Sequence, residues 1–174
     1  MKGNGVIKVE AEKLRQFCQE LLIKVGLTAE DAQVVADSLV QANLRGVDTH
    51  GVMRLPIYVK RMRMGLIAVR PRMELHRTGP ATAILDGGNG PGQVVALRAI
   101  EEAIKLAREA GVGLVAIKNS NHFGAAAYFA MRALKHDMIG LALSHAEADM
   151  IPFGGRKPCL GTNPIAIVVP AGEE

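Results

Sequence analysis

His50, Arg54 and Tyr58 stand four positions apart in the stretch R-G-V-D-T-H-G-V-M-R-L-P-I-Y (45–58). As a set they suit a small oxo or hydroxy acid. Arg54 offers a planar fork that grips a carboxylate at two points. His50 can give or take a proton near neutral pH, and Tyr58 adds a hydroxyl. On a helix a four-residue step drifts only about 40°, so three such heads share one side. The same spacing also occurs on ordinary solvated helix faces and does not carry the assignment alone. Pro56 narrows the geometry, because deep inside a helix its ring would clash with the carbonyl of Val52. The helix is therefore expected to begin near residues 53–55, with Pro56 in its first turn. His50 then falls in the preceding loop, after Asp48 and before Gly51, where a rigid scaffold commonly holds reactive groups.

Two further stretches carry chemistry. N-S-N-H-F-G (119–124) follows the strand-like run G-L-V-A-I-K (113–118) and precedes a helix. In α/β folds that junction is where ligands sit, and the helix N–H groups there can hold an anion or a carbonyl oxygen. His122 is thus a candidate, although a single loop histidine is equally a hydrogen-bonded surface residue. The third stretch is G-T-N-P (161–164), where Thr162 and Asn163 also suit a plain turn before a strand.

The elements that must position these groups are legible from periodicity. Leu14, Phe17, Cys18, Leu21, Leu22 and Val25 recur at helical steps over 9–25, and Gly26 ends that helix. Thr28 caps a second helix with Asp31 three positions on; its buried stripe is Val34, Val35, Leu39 and Ala42, and it runs out near Gly46. A third spans about 55–64. Residues 65–79 read as a linker. Then the period changes: a strand over 81–86, the turn G-G-N-G-P-G (87–92), a helix over about 93–110, buried strands at 113–118 and 138–144, a helix over 125–136, and a strand at 165–169 that is apolar on both faces. Strand–helix alternation argues for an α/β layer. The glycines at 88, 90 and 92 do not follow G-x-G-x-x-G order. Lys118 also stands where a dinucleotide fingerprint places an acid, so a Rossmann loop is not expected.

The chain has 174 residues, 49% apolar and 22% charged, with a net charge of +4 and no tryptophan. That composition belongs to a globular chain with one sizeable aliphatic core. Basic residues cluster only over 60–72, without interleaved aromatics, which argues against a nucleic-acid partner. No run reaches the roughly 18 apolar residues a membrane span needs. Two cysteines, Cys18 and Cys159, make no disulfide framework, and no secretory leader is visible; a cytoplasmic setting is expected.

Taken together, R-G-V-D-T-H-G-V-x-R-L (45–55), S-N-H-F-G-A-A-A-Y-F (120–129) and P-F-G-G-R-K-P-C-L-G-T-N-P-I-A (152–166) resemble the malate/L-lactate dehydrogenase type-2 family. The resemblance covers essentially the whole chain. It implies hydride transfer between NAD or NADP and a small 2-hydroxy/2-oxo acid such as malate, lactate or sulfolactate. It also implies an N-terminal helical segment (1–70) and a non-Rossmann, three-layer α/β/α domain with a mixed sheet, of which 71–174 is the first part. By the same likeness, His50 and His122 are the acid/base residues, and Arg54 and Tyr58 bind substrate. His122, Phe123, Gly124, Ser144, His145, Thr162, Asn163 and Pro164 meet the cofactor. His145 departs from the family pattern, where asparagine follows the Ser/Thr. Family members run to about twice this length, so a homodimer, or completion by a second polypeptide, is expected. Two other readings stand beside this one: a metal- or small-acid-binding module using Asp48, His50 and His122, and an inactive fragment of such a dehydrogenase. No H-E-x-x-H or C-x-x-C spacing supports the first, and no metal is expected.

Overall fold

The computed structural model describes residues 8–172. In chain order the elements are α1 (Ala11–Lys24), α2 (Ala29–Leu44), α3 (Leu55–Arg63), β1 (Glu74–Arg77), β2 (Thr82–Asp86), α4 (Gly92–Ala110), β3 (Leu114–Lys118), α5 (Ala126–Ala130), β4 (Gly140–Leu143) and β5 (Ile165–Val168). This is a mixed α/β fold. The strands form a three-stranded sheet in the order β1-β2-β3 and a separate antiparallel pair, β4-β5.

Two compact units divide the chain. The first holds the described residues up to Glu74 together with Asp86–Val95 and Lys118–Gly124. Its core is aliphatic: Cys18, Leu22, Leu27, Val35, Leu39, Leu55, Met62 and Ile67 are all buried. The expected stripe of α2 is inside. On α1, however, Phe17 is 55% exposed, because the inward arc of that helix is centred on Cys18 and Leu22. Local signals set the helix ends. The Thr28 hydroxyl accepts from the Asp31 N–H at 2.9 Å and caps α2. At the other end Gly46 takes φ +73°, and the N–H groups of Gly46 and Val47 return to the carbonyls of Asn43 and Ala42. That doubly bonded ending closes α2 and turns the chain straight into the His50 segment.

The second unit holds Leu75–Leu85, Ala96–Ile117 and the described residues from Ala125 onward. The stretch read as a linker contains β1. The helix expected over 125–136 is one α-helical turn and a little more, continued by a 3-10 stretch, Met131–His136. Asp137, at φ 56°, ends it. The strands differ from expectation in burial. In β3 Leu114 and Ile117 are exposed, and β5 alternates exposed and half-buried residues where two covered faces were expected. Apolar composition does not reveal how many faces of a strand are covered. In the β4-β5 pair Gly140 faces Val168 and Ala142 faces Ala166, while Leu141 faces Ile167 and Leu143 faces Ile165. The small residues occupy the more buried face. A side chain at Gly140 would collide with the backbone of Ala130, so α5 lies flush against this strand.

Candidate functional site

Between α2 and α3 the backbone makes two short 3-10 turns, Asp48–His50 and Val52–Arg54. Asn43, in the last turn of α2, organises both. Its Nδ2 donates to the Asp48 carboxylate, and its Oδ1 accepts from the Val52 N–H at 2.8 Å. Gly51 separates the two turns because a Cβ there would overlap the Asn43 amide; its φ of −87° demands no glycine. The requirement is close approach rather than an unusual dihedral. Arg54 closes the second turn and immediately precedes α3, where Pro56 sits in the first turn. Its Nε–H donates to the Thr49 carbonyl at 2.6 Å, holding the guanidinium against the His50 turn.

His122 reaches the same cluster from the loop after β3. That loop is laced to the turn after β2. Gly87 N–H donates to the Lys118 carbonyl and Asn89 N–H to the Asn119 carbonyl. The Asn119 amide donates to Asp86, and the Asn121 amide reaches the carbonyls of Asn89 and Gly90. A side chain at Gly92 would collide with the carbonyls of Asn121 and His122, so the start of α4 is packed hard against this loop. All of these groups lie within the first unit.

There the histidine meets its partners. His122 Nδ1 is 2.6 Å from the Tyr58 hydroxyl. Its ring stacks on that of His50, with centroids 5.5 Å apart and planes at 26°. Tyr58 itself is buried. The His50 Nδ1 is engaged by the Thr49 hydroxyl at 3.0 Å. Both rings therefore keep Nε2 for an incoming group. Three of the four residues expected to do chemistry thus touch in one chain of contacts, and Arg54 acts on them electrostatically.

The electrostatics follow from crowding. Burial, then the charge of Arg54, lowers the His50 pKa. His122 is pushed down to about 4, first by burial and then by His50, Arg54 and Arg61, although the residue as a whole is solvent-exposed. Burial pushes the Tyr58 hydroxyl up to about 12, opposed by the nearby Gln93 amide and by Arg54. At neutral pH the cluster therefore holds two neutral imidazoles and a protonated phenol beside the charges of Arg54 and Arg61. Histidines held neutral beside an arginine are groups whose titration an incoming anion would change.

The other expected residues fall in the same loops or in the second unit. Phe123 and Gly124 follow His122 directly, with Gly124 at φ 83°. In the second unit the Ser144 N–H donates to the Pro164 carbonyl at 3.2 Å, and the Ala146 N–H to the Asn163 side chain at 2.9 Å. These bonds join the Ser144–His145 turn to Asn163 and Pro164 as one ledge. His145 and Thr162 are exposed on it. Among the described residues no group of three or more His, Cys, Asp or Glu stands ready to hold a metal. Nor is any helix there long and apolar enough to cross a membrane. Sequence reasoning missed Asn43 and Gln93. Asn43 was findable as a polar residue in the last helical turn, five positions before Asp48; Gln93 carries no local signal.

Comparison with known proteins assigns the chain to a family. The profile of the malate/L-lactate dehydrogenase family matches residues 9–174. Malate dehydrogenase of Pyrococcus abyssi is 43% identical over 164 residues, covering 94% of this chain and 45% of that protein. The NAD(+)-dependent ureidoglycolate dehydrogenase of Escherichia coli O157:H7 is 38% identical, covering 97% of this chain and 48% of its own length. The solved structure of malate dehydrogenase from Pyrococcus horikoshii OT3 superposes with a TM-score of 0.93 at 42% identity, over 97% of this chain and 48% of that one. The chain thus spans about half the length of the relatives it matches, and within that span it belongs to the malate/L-lactate dehydrogenase family.

Proposed function

We propose that this chain carries the substrate-binding and proton-handling part of an oxidoreductase that moves a hydride between NAD or NADP and a small 2-hydroxy/2-oxo acid. The observation that carries the reading is the Tyr58–His122–His50 cluster beside Arg54. In this reading Arg54, fixed through Nε, presents its terminal nitrogens to the substrate carboxylate. The C2 oxygen then lies against the Nε2 atoms of the histidine pair. One histidine moves the proton at that oxygen and the other orients it. Neutral imidazoles suit the oxidative direction, in which the ring accepts the hydroxyl proton. In the reductive direction the same ring must be charged first, and a carboxylate bound at Arg54 favours that.

The nicotinamide cofactor supplies the hydride when bound. Of the residues the family likeness assigns to the cofactor, Phe123 and Gly124 follow His122 in the first unit, and Ser144, His145, Thr162, Asn163 and Pro164 belong to the second. The ledge of 144–146 with 163–164 suits such a role, since its two segments are hydrogen-bonded together while His145 and Thr162 are exposed. Relatives are named for NAD(+) and for NADP(+). The helical segment 1–70 would supply His50, Arg54 and Tyr58, and 71–174 would begin the cofactor domain. A cytoplasmic homodimer, or completion by a second polypeptide, belongs to the same proposal; the two unpaired cysteines suit a reducing compartment.

The test is a screen of 2-oxo acids (oxaloacetate, pyruvate, sulfopyruvate) with NADH and NADPH, following nicotinamide absorbance, on the complete enzyme that contains this chain. Turnover of at least one acid, abolished in Arg54→Met, is the expected result. No turnover with any acid and either cofactor, from protein that binds cofactor, would remove the proposal.

A further inference from the structure

Gln93 is the second residue of α4 and only 1% exposed. Its Nε2 is the one buried side-chain polar atom without a hydrogen-bond partner among the described residues. The amide lies close enough to the Tyr58 hydroxyl to perturb it, yet makes no bond of acceptable geometry with it. It also lies 3.7 Å from where a side chain on Gly124 would begin, so it faces the turn that follows His122. Buried amide N–H groups rarely go unpaired. The polar group beside this one is the oxygen whose hydrogen bond to His122 Nδ1 anchors the whole cluster.

Resting on the proposed function, we infer that Gln93 is a positioning residue. Its amide donates to the Tyr58 oxygen, holds the Tyr58 O–H on His122 Nδ1, and keeps His122 neutral with its hydrogen on Nε2, leaving His50 to accept the hydroxyl proton in the oxidative direction. The physical reason is polarisation. A hydroxyl that accepts a hydrogen bond becomes a better donor, and a Tyr58 that donates to Nδ1 favours the unprotonated ring. Protonating Nδ1 requires Tyr58 to turn its hydrogen elsewhere, against the Gln93 donor. The other groups acting on the ring are His50, Arg54 and Arg61, all of which also disfavour the imidazolium. Gln93 therefore adds a directional bias to a repulsion that is otherwise only charge and burial.

The experiment is an NMR titration of the His122 imidazole in the wild type, Gln93→Met and Gln93→Glu, with His122→Asn identifying the resonance. Kinetics against pH are recorded on the same proteins. Methionine keeps the volume and removes the donor, so the His122 pKa should rise by about one unit, a tenfold gain in proton affinity. The acidic limb of the kcat/KM profile should move up with it. Glutamate accepts the Tyr58 proton and adds a negative charge, so it should raise the His122 pKa further. In a Tyr58→Phe background the methionine variant should add nothing. Should Gln93→Met fail to fold, the glutamate variant carries the measurement. An unchanged His122 titration in folded variants would reduce Gln93 to packing and overturn the inference, whatever the enzyme turns over. A shifted titration in a protein that reduces no oxo acid would keep the positioning role and discard the proposed reaction.

Discussion

The helical core around Cys18 and Leu39 and the β4-β5 pair treat large aliphatic residues in opposite ways. In the first unit Leu22, Leu27, Leu39 and Leu55 are inside, and the polar groups left near the surface are His50, Arg54 and His122. In β4-β5 Gly140, Ala142, Ala166 and Val168 take the more buried face, while Leu141, Leu143, Ile165 and Ile167 are each more than half exposed. The lesson is that large aliphatic residues form a core in one region and an exposed face in the other. The first has its core closed and its polar contacts wired internally, including the Tyr58–His122 bond. The second presents four cross-strand aliphatic residues, Leu141 opposite Ile167 and Leu143 opposite Ile165, on one exposed face.

The contrast can be broken most forcefully at the histidines. His122→Asn keeps size and some hydrogen bonding but removes the titrating nitrogen, so kcat should fall by about 10² to 10⁴ if His122 moves the proton. Its Tm should stay near the parental value, because the ring is partly open to water. His50→Asn is read beside it, and the histidine whose loss flattens the pH profile is the acid/base. Parental pH profiles in both variants would end the histidine mechanism.

Stability gives the next largest contrast. Leu39→Ala empties a fully buried site and should cost about 2–5 kcal/mol. Ile167→Ala should cost less than about 1 kcal/mol and, by shrinking the exposed apolar face, should lower any self-association seen by sedimentation. Equal losses in chemical denaturation would mean that the β4-β5 face is covered in solution.

Arg54→Lys sharpens the comparison inside the site. A point charge cannot reproduce a two-point grip, so kcat/KM should drop by about tenfold or more, roughly 1.4 kcal/mol. Unchanged kinetics toward every oxo acid would relocate the carboxylate site. The smallest of these effects belongs to Asn43→Ala. It leaves the Val52 N–H without its acceptor and should lower stability by about 1 kcal/mol. It should also raise KM as the His50 turn loosens. An unaltered KM would show that the two 3-10 turns hold themselves.

Much of the first unit was legible because its signals are local. Thr28 with Asp31, Gly26, Gly46, and Pro56 in the first turn of α3 each state a boundary within a few residues of where it falls. The His50–Arg54–Tyr58 spacing also survived, though through two 3-10 turns and one helix rather than a single helical face. What stayed hidden is long-range. Tyr58 and His122 are 64 positions apart, and nothing in either neighbourhood states that they share a hydrogen bond. Gln93 reads as an ordinary helix residue until its burial and its lack of a partner are seen. In Ile165–Val168, period and composition could not separate a strand covered on both faces from one covered on a single face.

On the proposed function, Arg54 and the histidine pair form a single anion site whose occupation brings protons with it. Calorimetry of a non-reducible 2-oxo acid analogue such as oxamate, with nicotinamide cofactor present, tests it directly in buffers of different ionisation enthalpy near pH 6. Both histidines start below their ordinary pKa. A carboxylate beside them raises those values toward the working pH, so protons must be taken up on binding. The prediction is a buffer-dependent enthalpy that reports uptake, shrinking as pH rises toward 8, with affinity reduced at least about tenfold in Arg54→Lys. Binding with no proton uptake and equal affinity in Arg54→Lys would contradict the account.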